Sequence, residues 1–287
     1  MFVWLNGHIV DARRARVSVL DRGLLHGDGI YDTWRTYDGR SFALAAHLRR
    51  LTAAARRVEL PAPGSGSLWE ARTRLLLRRN GLGDGAARLT ITRGDAGSGP
   101  GPDRRARPTR LLTVRGLPAN LAALQTDGVA VTLLPFARDA GPSWGNVKLV
   151  GHASAVVGKL VAARRRAYEG FYVTPDGHVP EGTTSNVFMV ARGMLCTPPA
   201  DGSILAGVTR DIVLEVAQRA GIRTRETPIT VDRLRRADEI FVTASTIEVV
   251  PVVRLDGRRV GGGRPGPITN DLQTGYRAAI ARARRRA

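Results

Sequence analysis

Asn146-Val147-Lys148-Leu149-Val150 is an extended, mostly apolar stretch built around one of only two lysines in the chain. Lys and Arg together number 44, so arginine fills nearly every basic position. A lysine kept against such a bias points to a task that arginine cannot perform. Arginine keeps its proton, whereas a desolvated lysine can lose it and attack a carbonyl to form a Schiff base. The alternative is a solvated surface lysine. Lys159 fits that alternative, because it precedes Leu160-Val161-Ala162-Ala163-Arg164-Arg165-Arg166 on an expected exposed helix face. Lys148 fits it less well, lying among apolar neighbours at the end of an extended run.

Outward from Lys148 the chain alternates strands and helices. Residues 1–10 predict a hairpin turned at Asn6-Gly7. Asp21 to Gly29 predicts a glycine-punctuated loop. It leads into an alternating strand, Ile30 to Tyr37, turned at Asp38-Gly39. Phe42 to Val58 predicts a helix with Leu44, Leu48, Leu51 and Ala55 on one face. Leu68 to Asn80 predicts a second helix, Ala87 to Arg93 and Leu111 to Val114 two strands, and Asp95 to Pro108 a long mobile loop between them. Turn residues at Gly116-Leu117-Pro118-Ala119-Asn120 place a domain boundary, with one domain over 1–118 and a larger one over 119–287. In the second, strands are expected at 129–134, 171–173, 187–190 and 239–242. Helices are expected at 151–169, 207–220 and 268–287.

The net charge of +19 raises the question of nucleic acid, but the arginines are spread over the whole chain. Zinc-finger spacing, an aromatic RNA-binding cluster and a helix-turn-helix signature are all missing, so a solvated basic surface is expected and nucleic acid is not. Hydrophobic content of 43% suits a globular core. The single Cys196 excludes an intramolecular disulfide and suits a reducing, cytoplasmic location. No apolar run approaches the roughly 18 residues needed to cross a membrane. The N-terminal residues read as a strand and turn, not as a signal peptide. No metal is expected.

Three features suggest a phosphate site. Gly207-Val208-Thr209 opens a helix, where unpaired amides and the helix dipole favour an anion. Thr243-Ala244-Ser245-Thr246 ends a strand with hydroxyls, and Arg50 can offer a planar fork of donors. Glu181 lies between Pro180 and Gly182, beside the hydroxyls of Thr183, Thr184 and Ser185, which are expected to fix it. Beside a lysine and an anion cradle, such a carboxylate can keep a pyridine nitrogen protonated, so that the ring acts as an electron sink.

These residues resemble the fold-type IV, or class IV aminotransferase-like, pyridoxal-phosphate enzymes, a group that includes branched-chain and D-amino-acid aminotransferases and aminodeoxychorismate lyase. The likeness spans Asn6-Gly7, Gly27-Asp28-Gly29-Ile30-Tyr31, His47-Leu48-Arg49-Arg50-Leu51 and Glu181-Gly182-Thr183-Thr184-Ser185-Asn186-Val187-Phe188. It continues through Thr197-Pro198-Pro199, Gly207-Val208-Thr209-Arg210 and Gly266-Pro267-Ile268-Thr269. The resemblance implies an α+β chain with a small N-terminal α/β domain and a larger, cofactor-binding domain with a β-barrel-like core. It implies pyridoxal 5'-phosphate as cofactor, held covalently by Lys148, with Glu181 on the pyridine nitrogen and Leu205 against the ring. Arg50, Val208, Thr209 and Ser245 would hold the phosphate. Tyr31, Arg35, Ser98 and Thr246 would face the substrate. The implied reaction is amino transfer between an amino acid and a 2-oxo acid in a homodimer. The alternatives are pyruvate elimination giving 4-aminobenzoate, as in the lyase, and a basic binding protein that has lost the chemistry. Branched-chain enzymes carry a tyrosine five residues after the lysine; here that position is Ala153, preceded by His152. The arginine and histidine that grip the carboxylate in D-amino-acid enzymes have no counterpart in Asp95-Ala96-Gly97-Ser98-Gly99.

Overall fold

The computed structural model describes residues 1–95, 99, 101, 106–137 and 146–286. It divides into two compact units. One comprises Met1–Leu117 with Val147–His152; the other comprises Pro118–Asn146 with Ala153–Ala287. The Lys148 stretch therefore returns to the first unit, an excursion that the continuous span 119–287 does not contain.

The first unit holds β1 (Phe2–Leu5), β2 (His8–Asp11), α1 (Arg22–His26), β3 (Gly29–Tyr37), β4 (Arg40–Ser41), α2 (Leu44–Arg57), α3 (Gly66–Arg79), β5 (Ala86–Thr92) and β6 (Thr109–Arg115). Its sheet runs β2-β1-β6-β5-β3-β4. The β1–β2 hairpin turns where expected, with Asn6 and Gly7 both at positive φ (48° and 104°). Strand β3 alternates strictly. Ile30, Asp32, Trp34 and Thr36 are buried, while Tyr31, Thr33, Arg35 and Tyr37 stay half-exposed on the opposite face. Helix α2 packs on β3, and α3 on β1 and β6. Trp34, Leu51, Trp69, Leu76 and Leu89 fill the resulting core. The returning stretch joins β3. Tyr31 N–H donates to the Lys148 C=O (2.9 Å) and Val150 N–H to the Gly29 C=O (2.8 Å).

The second unit holds α4 (Leu121–Asp127), β7 (Val129–Leu133), α5 (Ala153–Arg164), β8 (Glu169–Phe171), β9 (Asn186–Ala191), β10 (Met194–Thr197) and α6 (Val208–Arg219). After these come β11 (Thr224–Glu226), α7 (Val231–Arg235), β12 (Glu239–Ala244), β13 (Glu248–Leu255), β14 (Arg258–Arg259) and α8 (Pro267–Arg286). The sheet runs β11-β10-β9-β12-β13-β7-β8, with β14 on β13. Residues 178–182 link its two ends. Tyr172 N–H donates to the Glu181 C=O (3.1 Å) beside β8, and Val179 N–H to the Ile229 C=O (2.7 Å) beyond β11. These bonds draw the sheet round into a barrel-like core with Glu181 in the closing segment. Phe188 and Phe241 stack at 4.8 Å across β9 and β12.

Three expectations change. The helix predicted over 151–169 stops at Arg164. Arg166 takes a left-handed φ of 54°, and Glu169 begins β8, buried beside β7. Helical periodicity continued past the turn because Ala167 and Tyr168 carry no breaker. The loop predicted from Asp21 contains α1, capped by the Asp21 side chain on Gly23 N–H (2.7 Å). The short β10 and the long β13 are mostly buried apolar runs that alternate weakly, and β11 is an exposed three-residue Thr-Arg-Glu strand with no apolar pattern, so all three passed unread.

Candidate active site

In the first unit, functional side chains collect on β3, on α2 and on the returning stretch. The Lys148 amine lies 4.7 Å from the centre of the Tyr31 ring. The Arg88 guanidinium, from β5, lies 3.7 Å from the same centre, and the His152 ring stacks at a tilt, 5.2 Å away. His152 Nδ1 is 2.7 Å from the Val150 C=O, which leaves Nε2 as its outward nitrogen. Burial pushes the Arg88 guanidinium below its ordinary value. Arg35 shares the half-exposed face of β3 with Tyr31, and its guanidinium lies 4.5 Å from the centre of the Tyr37 ring.

On the buried face, Asp32 holds two partners from α2. Its carboxylate accepts from Arg50 Nε (2.9 Å) and Nη2 (2.7 Å), and from His47 Nδ1 (2.9 Å). A carboxylate only accepts, so His47 carries its proton on Nδ1. Burial opposes the Asp32 charge, but Arg50 and the His47 hydrogen bond outweigh it and hold the carboxyl well below the usual carboxylate range. Burial pushes His47 the other way from protonation, below its ordinary value. The guanidinium of Arg50 is thus fixed in a fork-to-fork pair by a residue eighteen positions upstream.

In the second unit, Glu181 is buried and its Oε2 accepts from Leu205 N–H (3.1 Å). Asn186 Nδ2 donates to the Leu205 C=O (2.9 Å). Leu205 leads through Gly207, the N-cap of α6, into Val208 and Thr209, both buried. The N-cap residue of α6, Gly207, has no side chain to cap the helix, and the amides of a helix's first turn are donors suited to an anion. Strand β12 pairs with β9 so that Thr243 lies opposite Asn186, and α6 packs on β12. The turn bearing Ser245 and Thr246 follows at once, both residues half-buried. These residues fit a phosphorylated pyridine in donor chemistry: amides and hydroxyls for the phosphate, and a buried carboxylate for the ring nitrogen.

The hydroxyls after Glu181 do not serve it. Thr183, Thr184 (3.1 Å) and Ser185 (3.1 Å) all donate to Glu169, as does Gly170 N–H (2.8 Å). Lys159 joins them, 3.1 Å from Glu169 Oε2 and donating to the Tyr168 C=O (3.0 Å). The second lysine is therefore no bystander on a solvated face: it partly neutralises a fully buried carboxylate.

Among the expected site residues, Lys148, Tyr31, Arg35 and Arg50 belong to the first unit. Glu181, Leu205, Val208, Thr209, Ser245 and Thr246 belong to the second. Ser98 lies outside the described residues. Asp32, Arg88 and Glu169 were missed. Strict alternation on β3 could have marked Asp32, an acid in a buried register; Arg88 and Glu169 carry no comparable local signal.

Residues 29–255 match the family described as amino-transferase class IV. An inferred branched-chain-amino-acid aminotransferase of Methanocaldococcus jannaschii is 35% identical over 278 residues, 96% of each chain. The D-alanine aminotransferase of Listeria monocytogenes is 32% identical over 290 residues, covering 99% of this chain and 97% of its own. Among solved structures, the branched-chain amino acid aminotransferase of Escherichia coli superposes with a TM-score of 0.90 at 29% identity, covering 96% of this chain and 93% of its own.

Proposed function

The chain belongs to the class IV aminotransferase family, and we propose that it works with pyridoxal phosphate anchored on Lys148. It is an aminotransferase, exchanging the amino group of an amino acid for the oxo group of a 2-oxo acid. Class IV aminotransferases are pyridoxal-phosphate enzymes. When bound, the cofactor supplies an aldehyde for amino groups and a ring that accepts electron density. Lys148 Nζ would hold it covalently, then take the proton from the substrate Cα and return it. Glu181, oriented by Leu205 N–H, would hold a proton on the pyridine nitrogen. The amides of Val208 and Thr209, the hydroxyls of Thr209 and Ser245, and Arg50 would bind the phosphate, with Arg50 oriented by Asp32. Leu205 would pack against the ring.

Tyr31, Arg35, Ser98 and Thr246 are the proposed substrate contacts, and Arg88 is added to them. A guanidinium against the Tyr31 ring beside the Lys148 amine suits a substrate carboxylate. One observation supports this reading above the others: two β3 hydrogen bonds fix the Lys148 backbone so that its amine meets the Tyr31 face.

Borohydride reduction of the protein incubated with pyridoxal phosphate, followed by peptide mapping, tests the assignment. The label is expected on Lys148. A label on Lys159, or none, overturns it. A screen of branched-chain L-amino acids and small D-amino acids, read as conversion to the pyridoxamine form, then identifies the donor. Pyruvate released from aminodeoxychorismate with no 2-oxo acid supplied would assign the lyase reaction instead. A homodimer is part of the proposal, and analytical ultracentrifugation tests it.

A further inference from the structure

The Leu205 peptide is gripped at both ends. Its N–H donates to Glu181 Oε2 (3.1 Å) and its C=O accepts from Asn186 Nδ2 (2.9 Å). Glu181 and Asn186 frame a tight turn closed by Gly182 N–H on the Ser185 C=O (2.8 Å), and both side chains are buried. From Leu205 the chain passes through Ala206 and Gly207 directly into the first turn of α6. A Cβ on Gly207 would collide with Asn186 Oδ1, although the φ of Gly207 is an ordinary −76°. Glycine is thus required at 207 by the neighbouring amide and not by the backbone.

We infer that Asn186 is a positioning residue that sets the separation between the Glu181 carboxylate and the first turn of α6. The inference rests on the proposed cofactor reading, in which those two groups address the ring nitrogen and the phosphate of one rigid molecule. Two receptors bind parts of a rigid ligand together only if their spacing is held. Leu205 spans the gap, its N–H on one receptor and its chain leading to the other. Asn186 is the side chain that keeps its peptide from rotating, and its Oδ1 limits how closely Gly207 can approach β9.

The test is titration of the apoenzyme with pyridoxal phosphate, read by absorbance, with the phosphorus resonance of the bound cofactor as a second readout. Asn186→Asp keeps the size and loses the donor. It is expected to weaken cofactor binding about tenfold, as for one buried hydrogen bond, and to move the phosphorus resonance. Gly207→Ala displaces the amide and is expected to give the same defect; it carries the test if Asn186→Asp does not fold. Asn186→Ala alone is also measured, and the double variant Asn186→Ala/Gly207→Ala should be no weaker than the worse of Asn186→Ala and Gly207→Ala, because both act through one contact. Wild-type affinity and resonance in the single variants, or losses that multiply in the double variant, would overturn the inference. A wild-type protein that takes up no pyridoxal phosphate would overturn the cofactor reading and this inference together. Melting temperatures alone would not separate positioning from stability, whereas the resonance reports on the phosphate itself.

Discussion

Asp32→Asn tests the link between the core of the first unit and Arg50, its proposed phosphate ligand. Asp32 is 1% exposed and Arg50 13%, so the pair is shielded from solvent. The substitution removes one charge and leaves a buried guanidinium facing an amide. Three hydrogen bonds, two of them to Arg50, are lost or weakened. Breaking a buried ion pair from one side costs about 3–5 kcal/mol. Asn keeps one acceptor oxygen, so a loss of about 3 kcal/mol in the stability of the apoprotein is expected. Urea denaturation followed by tryptophan fluorescence measures it, since Trp4, Trp34 and Trp69 all report on this unit. The pH dependence follows from the sign of the shift. The folded-state pKa of Asp32 is depressed, so its contribution is fully present above the unfolded value of about 3.9 and is lost as pH falls below that toward the folded value. The difference between wild type and variant should therefore be constant above about pH 5 and shrink in acid. The variant should also bind pyridoxal phosphate more weakly, because Arg50 is no longer aimed. Equal stability at neutral pH, or a difference that grows in acid, would refute this reasoning.

Lys148→Ala should abolish transamination and leave the circular dichroism spectrum unchanged; wild-type turnover would reject Lys148 as the base. Glu169→Gln should lower the unfolding free energy of the second unit, measured by urea denaturation, by roughly 2–3 kcal/mol, since four donors and the Lys159 amine lose a buried charge; an unchanged unfolding free energy would show that those hydroxyls have other partners. Arg88→Leu should raise the KM for the amino acid about tenfold or more with little change in stability. A KM equal to that of wild type would remove Arg88 from the substrate contacts.

Much of the proposed site was readable along the chain because each clue was local. A lysine among apolar neighbours in an arginine-rich chain, an Asn-Gly turn, the alternation of β3 and a glycine opening a helix each depend on a few neighbouring residues. The order of Lys148, then Glu181-Gly182 to Asn186, then Gly207-Val208-Thr209-Arg210 carried the family resemblance, and residues 29–255 match that family. What the chain order could not convey was which polar group partners which. Thr183, Thr184 and Ser185 follow Glu181 after a single glycine, yet their hydroxyls turn to Glu169, because the turn closed between Gly182 and Ser185 points them at β8. Arg50 meets Asp32 only once α2 lies on β3, and the Lys148 stretch joins the first unit only by pairing with that same strand. Backbone preference and periodicity act over a few residues and survive in sequence. Hydrogen-bond partnership is set by burial and strand register, which exist only after distant segments have packed.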